Sequence, residues 1–384
     1  METSKTLYKL NNRGDVSWWK IDLVSEIDDT GFPIHHLTRS WGHQLPVKPT
    51  DNIISEDIED EQKASAKMNS YINEQKERRG YTEEIPTAPP PLPMLAQEYK
   101  GKIPFKKVAL QPKLDGIRCI LSEEGLRSRR NTFFGSCPHI ELYLPQFNHP
   151  DLPKGIKFDG ELIIKNTPFN IIEGFVMRQT PDQSMCFKEI EYHVFDCVDL
   201  DEPFSVRIKM VEKFIQIMEE AYIKYMQPNH ALNKHRYFSK KCPFKMVQTL
   251  LYEDDQLTPE ELAVVMAEYR ASGYEGVMIR NIESSYQLNY RSPNLLKLKE
   301  FQDDEFKIIG VVEGAKKEGI LICQMPDGKT FRCSFRGNAT IRQSILTHRF
   351  LWVGKMLKVE HEGYSEHGIP RCPVGVHKYD KERV

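Results

Sequence analysis

What this sequence lacks narrows the field first. No two of its eight cysteines, at 119, 137, 186, 197, 242, 323, 333 and 372, form a C-x-x-C pair. A zinc ribbon or a thioredoxin-type redox site is therefore not expected. Several of the cysteines fall inside apolar, strand-like runs, where a free thiol behaves as a small hydrophobe, and all are read as reduced and structural. No apolar run approaches the ~18–20 residues that would cross a bilayer. The opening "METSKTLYKL" has no apolar stretch of the secretory kind. An intracellular protein without membrane association is the expectation. Internal repeats and low-complexity tracts are missing too. So is a strong charge imbalance: 53 Lys and Arg stand against 55 Asp and Glu, a net −2. Binding of a polyanion would have to come from local clusters. Residues 1–92 hold 11 Lys/Arg and 16 Asp/Glu, and the remainder holds 42 and 39, so the basic excess lies C-terminal.

The 384 residues, 40% hydrophobic and 28% charged, suit a globular chain of two or three domains. Residues 1–55 carry short aromatic and β-branched runs such as "DVSWWKIDLV", predicting a small β unit with Trp18, Trp19 and Trp41 available to its core. Residues 56–79 run from acidic to basic and end before Gly80, which predicts a helix. The prolines of "TEEIPTAPPPLP" predict a stiff linker at 81–93. From 94 to 302, short strand-like runs alternate with helices. One helix is predicted at 204–226, with Ile208, Val211, Ile215, Met218 and Tyr222 at helical spacing. Another is predicted from Thr258, with Pro259 at its first position, Glu261 completing a capping box and Gly273 as its stop. Residues 303–384 read as short strands joined by glycine turns, among them Asp327-Gly328, which predicts a small barrel.

The chemistry concentrates in five short stretches. "KLDGIR" at 113–118 places a lysine at a turn and an arginine five residues on. Taken alone, Lys113 reads as a solvated charge. "NLLKLKEF" at 294–301 alternates, so Leu296 and Leu298 face a core while Lys297 and Lys299 share the other face. Open solvent explains that pair as well as a bound phosphate between the two ammonium groups does. "KFDGELII" and "GYEGVMIR" set Glu161 and Glu275 in apolar strands. A buried carboxylate needs a cation, a metal or a hydrogen-bonding ligand, and a structural salt bridge meets that need equally. "EYHVFDCV" adds Phe195, an aromatic that is either core or a stacking surface. The basic run "NKHRYFSKKCPFK" at 233–245 interleaves cations with aromatics, in the manner of a solvated loop or of a nucleic-acid surface.

The order of these stretches resembles the ATP-dependent DNA ligases, of the covalent nucleotidyltransferase superfamily that includes mRNA-capping enzymes. The superfamily's Lys-x-Asp-Gly-x-Arg appears as "KLDGIR", followed by "FDGEL", "YHVFD", "EGVMIR" and "LLKLK", five motifs in order over about 190 residues. "PMLA" at 93–96 is similar to the entry of a ligase core. The resemblance implies an α+β fold: an antiparallel-sheet, ATP-grasp-like nucleotidyltransferase domain at 94–302, then a β-barrel OB-fold at 303–384. A small N-terminal β unit plus helix at 1–80 would precede them. "SWGH" at 40–43 faintly resembles the nucleic-acid-associated WGR module, with histidine where arginine is usual.

The resemblance also implies a role for each residue. Lys113 attacks the α-phosphate of ATP to form lysyl–AMP, with Lys297 and Lys299 on that phosphate. Arg118 and Arg129 contact the nucleotide sugar or the nick phosphate. Glu161 holds the ribose, Phe195 stacks on adenine, and Glu275 with Glu161 binds Mg2+ or Mn2+. Arg118, Lys297, Lys299 and the metal would form a positive field around Lys113, because an ordinary lysine, with pKa ≈ 10.4, is almost wholly protonated at neutral pH. Lys378 and Lys381 of "KYDK" stand where the family has Arg-x-Asp-Lys for the pyrophosphate, and lysine cannot give arginine's bidentate contact. The expected partner is nicked duplex DNA, sealed by a monomer in replication, repair or recombination. A viral or phage origin would place it in the host cytoplasm and a cellular eukaryotic one in the nucleus. Rival readings are an RNA ligase, a capping guanylyltransferase and a non-catalytic DNA-binding scaffold. NAD-dependent ligases are disfavoured by the cysteine spacing.

Overall fold

The computed structural model describes residues 2–10, 15–28, 31–43, 52–86, 91–178, 180–181, 184–253, 257–365 and 367–379, without the side chains of 77, 78 and 186. The chain divides into two compact units, Met1–Lys297 and Leu298–Val384.

The first unit opens with an antiparallel sheet in the order β1 (Glu2–Leu10), β2 (Val16–Ile27), β3 (Pro33–His43) and β4 (Ile53–Ile58). Alternation along β2 sends Trp19, Ile21 and Leu23 to one face. There they meet Leu7, Leu37 and the Ala64–Met68 face of helix α1 (Glu61–Asn73). Trp18 is buried as well, pressed on the backbone at Gly42, where an added Cβ would stand 2.9 Å from its ring. The helix expected from residue 56 starts later. Residues 53–58 are taken up by the ladder with β3, which pairs Leu37 with Glu56 and Arg39 with Ile54. Asp60 then caps α1 by accepting from the Lys63 N–H at 2.8 Å. Strand pairing outweighs the charge polarity that suggested a longer helix.

Ten strands build the rest of this unit: β5 (Leu95–Glu98), β6 (Val108–Lys113), β7 (Ile117–Ser122), β8 (Gly125–Ser128), β9 (Phe158–Ile163), β10 (Glu191–Cys197), β11 (Phe244–Met246), β12 (Leu250–Tyr252), β13 (Gly276–Asn281) and β14 (Arg291–Lys299). They form two five-stranded sheets, β11-β10-β9-β7-β8 and β12-β6-β13-β14-β5. The expectation of purely antiparallel sheets is corrected here, because β11 joins β10, and β5 joins β14, in parallel. A parallel neighbour requires a long crossover. Helix α2 (Phe204–Tyr225) supplies it between β10 and β11. The buried stripe of α2 includes Ile208, Val211, Ile215 and Met218, as the spacing predicts, and Phe214 stacks on Phe158 with ring centroids 3.8 Å apart. Helix α3 (Pro259–Ala271) carries the predicted capping box, and Gly273, at φ +86°, turns the chain toward β13.

The second unit contains β15 (Gln302–Glu313), β16 (Gly319–Gln324), β17 (Thr330–Phe335), helix α4 (Ala339–Thr347), β18 (Met356–His361) and β19 (Val374–Tyr379). The strand order is β15-β16-β17-β19-β18, and β18 pairs back onto β15, which closes the sheet. Its core includes Phe306, Leu321, Cys323, Phe331, Cys333, Leu357 and Val359, with Ile345 of α4 packed against them.

Candidate active site

The "KLDG" turn does not join a hairpin. Lys113 ends β6 in one sheet, and Ile117 begins β7 in the other, so the turn carries the chain from sheet to sheet. Gly116 is obligatory there: an added Cβ would lie 2.4 Å from the Leu162 carbonyl oxygen and 2.9 Å from the Glu161 side chain. Close approach lets the Gly116 N–H donate to Glu161 Oε1 at 3.1 Å. The turn is thus pinned by the carboxylate of the "FDGEL" strand.

On the other side, the Glu275 N–H donates to the Lys113 carbonyl at 2.9 Å, and the two side chains form an ion pair. Both are largely buried, with side-chain exposures of 19% and 11%. The Lys113 ammonium thus touches a carboxylate.

Arg118 on β7 is already engaged. Its Nε and a terminal nitrogen meet the two oxygens of Asp159 at 2.9 and 2.6 Å, and the Tyr286 hydroxyl donates to the same carboxylate at 2.6 Å. Burial pulls the Arg118 pKa down, but the charge and hydrogen bonds of Asp159, with Tyr286 and Glu161 beside it, together outweigh that and the net shift is upward. Behind lies a second buried network. Asp196 accepts from Arg207 at 2.8 and 3.1 Å and from Arg280 at 2.7 Å, and Arg280 also donates to Gln111 at 2.7 Å. Phe195, partly exposed at a bulge in β10, has the guanidinium groups of Arg118 and Arg280 at 5.6 and 5.4 Å from its ring.

Asp159, Asp196, Arg207 and Arg280 are the residues that sequence reasoning missed. Asp159, Asp196 and Arg280 stand within the five motifs. The rule that a carboxylate in an apolar strand needs a cation was applied to Glu161 and Glu275, and it holds with more force for Asp159 and Asp196, both fully buried.

Cross-strand register places Arg118, Glu161 and His193 side by side across β7, β9 and β10. Burial pushes the Glu161 carboxyl up to about 7, against the opposing pull of Lys113 and Arg118. Arg129, exposed in the turn after β8, has its pKa lowered by lost hydration and then by the charges of Arg118, Arg291 and Arg130. An anion would be welcome at such a concentration of guanidinium groups.

The remaining expected residues are more scattered. Lys297 lies in the same sheet as Lys113, with β13 between their strands, and its ammonium is 3.6 Å from Glu98. Lys299 pairs with Glu362 at 2.6 Å within the second unit. The two lysines thus pair with two separate carboxylates, on a strand that runs out of one unit into the next. Lys378 donates to the Leu351 carbonyl at 3.1 Å and lies 5.1 Å from the Trp352 ring centroid. Lys381 falls outside the described residues. Among the described residues no group of three or more His, Cys, Asp or Glu side chains forms a metal cage. A Mg2+ that keeps its waters and takes substrate phosphates needs only one or two carboxylates, and Glu161 and Glu275 each contact the Lys113–Gly116 turn.

Residues 93–299 match the family model described as the ATP dependent DNA ligase domain. The chain belongs to that family. Among curated relatives, a DNA ligase from a warthog isolate of African swine fever virus is 25% identical over 320 residues, covering 78% of this chain and 67% of the viral protein. One from a South African tick isolate is 25% identical over 237 residues, covering 58% and 49%. The DNA ligase of Enterobacteria phage T4 is 28% identical over 117 residues, 27% of this chain and 24% of its own. The chain spans about half the length of most of the swine fever virus relatives it matches. Two solved structures share the fold. One, from a structure–function study of Lig E DNA ligases, has a TM-score of 0.55 at 21% identity and covers 75% of this chain and 98% of that one. The other, Pmar-Lig_PreS3, has a TM-score of 0.58 at 19% identity and covers 82% and 70%.

Proposed function

We propose that this chain is an ATP-dependent DNA ligase that seals nicks in duplex DNA. The observation that carries the reading is the seat of Lys113. It ends a buried strand at the crossing between two sheets, one carboxylate (Glu275) touches its ammonium, and a second (Glu161) pins its turn. In the first step Lys113 Nζ gives up a proton, for which Glu275 is the acceptor in contact, and attacks the α-phosphorus of ATP. A P–N bond forms, the P–O bond to the β-phosphate breaks, and pyrophosphate leaves. In the second, an oxygen of the nick's 5′-phosphate attacks the same phosphorus, and the P–N bond breaks. In the third, the 3′-hydroxyl attacks the 5′-phosphorus and AMP departs.

Phe195 stacks on the adenine and Glu161 receives the ribose. Arg129, with Arg130 and Arg291 around it, takes the nick phosphate, while Arg118 acts from its pair with Asp159. Lys297 and Lys299 meet the α-phosphate, Lys299 after leaving Glu362, and Lys378 and Lys381 serve the pyrophosphate. A divalent metal at Glu275 and Glu161 would neutralise phosphate charge. We take the closed five-stranded unit as an OB-fold and residues 1–80 as a separable module. The test is covalent labelling. Protein incubated with radioactive ATP and a divalent metal should carry AMP, with little or no label from GTP or NAD. After removal of free nucleotide the adduct should seal a nicked DNA duplex. Preferential labelling by GTP would favour a capping enzyme, sealing of RNA nicks alone an RNA ligase, and no adduct a scaffold.

A further inference from the structure

From residue 221 to 252 the chain contains no Asp or Glu, yet it holds Lys224, Lys234, Arg236, Lys240, Lys241 and Lys245. In a protein of net −2 that is a marked local bias. The segment is also held in shape. Phe238 is buried against Tyr222 and Tyr225, the Tyr222 hydroxyl donates to the Lys240 carbonyl at 2.5 Å, and Asn233 donates to the Met226 carbonyl at 2.7 Å. The aromatics that the sequence interleaves with cations are thus the anchors, and Lys234, Arg236, Lys240, Lys241 and Lys245 are left exposed. Of the carboxylates alongside, Glu189 holds Lys241 at 2.8 Å and Glu191 holds His193 at 3.0 Å.

Register ties this surface to the candidate site. Lys245 on edge strand β11 stands beside His193, His193 beside Glu161, and Glu161 beside Arg118. One row of side chains therefore runs from Arg118 to the acid-free segment, three strand spacings or roughly 14 Å away. That equals the axial rise of about four nucleotides in one strand of B-DNA. We infer that residues 234–245 form a second docking surface for the phosphate backbone of duplex DNA, which extends the candidate active site outward along this row. The inference rests on the ligase reading for its partner. It assigns Lys234, Arg236, Lys240 and Lys245 to sequence-independent binding and to no step of the chemistry.

The test is the salt dependence of binding to an unnicked duplex. Removing four phosphate contacts in the variant Lys234→Gln/Arg236→Gln/Lys240→Gln/Lys245→Gln should flatten the plot of log affinity against log salt by about three to four, at ~0.9 per contact. Affinity at low salt should fall at least about tenfold by the same counterion release. Adduct formation with ATP should be unchanged, which also reports an intact fold. The variant Lys234→Arg/Lys240→Arg/Lys245→Arg keeps the charge and should keep the slope. An unchanged slope in the glutamine variant would overturn the proposal, and so would an equal loss in the arginine variant, since the effect would then be structural. Because an unnicked duplex needs no catalysis, absence of an adduct in the unaltered protein would sink the ligase reading and leave this surface to be judged by its own slope.

Discussion

Arg118 grips Asp159 with two nitrogens, at 2.9 and 2.6 Å, and the carboxylate it holds is 1% exposed. Much of the positive charge that the "KLDGIR" motif brings to the site is therefore answered within the protein. Losing one member of such a buried pair leaves the other uncompensated, at a cost of about 3–5 kcal/mol. Asp159→Asn keeps the shape and removes the charge. We expect it to lower the unfolding free energy extrapolated from urea by an amount in that range, to lower the urea midpoint accordingly, and to reduce adenylation with it. A midpoint within error of the parent would show that Arg118 finds its compensation elsewhere.

Lys113→Ala separates chemistry from folding. The lysine ends its strand, and its side chain packs chiefly on Glu275. The covalent AMP adduct should vanish, while the chain still folds. Some loss of thermal midpoint is expected from Glu275, left without its ammonium, so Glu275→Gln in the same background should restore the midpoint and not the adduct. A labelled Lys113→Ala protein of normal stability would place the nucleophile elsewhere.

Phe195 is the residue for which packing and binding roles compete most directly. It stands at a bulge, partly exposed, with two guanidinium groups near its ring. Phe195→Ala should weaken ATP binding by ~1–3 kcal/mol if a base stacks there, and chemistry on bound ATP should persist. If the variant instead melts early with an unchanged ATP dependence, the ring is core.

Much of the site was legible because the lysine and two of its neighbours obey local rules. Glu161 and Glu275 in apolar strands demand partners, and each has one, the Gly116 N–H and the Lys113 ammonium. The capping box at Thr258 and the stop at Gly273 are likewise local, and both appear as the spacing predicts. What did not show in the sequence depends on distant pairings. The link between Asp196 and Arg280 spans 84 positions, and nothing in one sequence says which buried carboxylate meets which guanidinium. The parallel additions of β5 and β11 are set by crossovers, not by their own alternation. Period two put Lys297 and Lys299 on one face but could not say that the strand passes from one compact unit to another between them.

The last prediction concerns pH. Burial lifts the Glu161 carboxyl to about 7 in the folded protein, whereas an unfolded chain titrates its glutamates near ~4.3. Below the unfolded value both states hold the proton and Glu161 imposes no penalty. As pH rises from there toward 7, the unfolded chain has released its proton and the folded one has not. The folded state then binds more protons, so stability falls with rising pH and levels off once folded Glu161 also ionises. A tenfold difference in proton affinity between the two states is worth ~1.4 kcal/mol. The side chain is partly exposed, so solvent screening trims the total to roughly 1–2 kcal/mol. Glu161→Gln cannot titrate. The stability of the parent minus that of this variant should therefore shrink between pH 5 and pH 8, measured by denaturant unfolding at constant salt. Parallel pH profiles for the two proteins would mean that the carboxyl titrates as it does in the unfolded chain, and the seat under Gly116 would then be more open to water than its contacts imply.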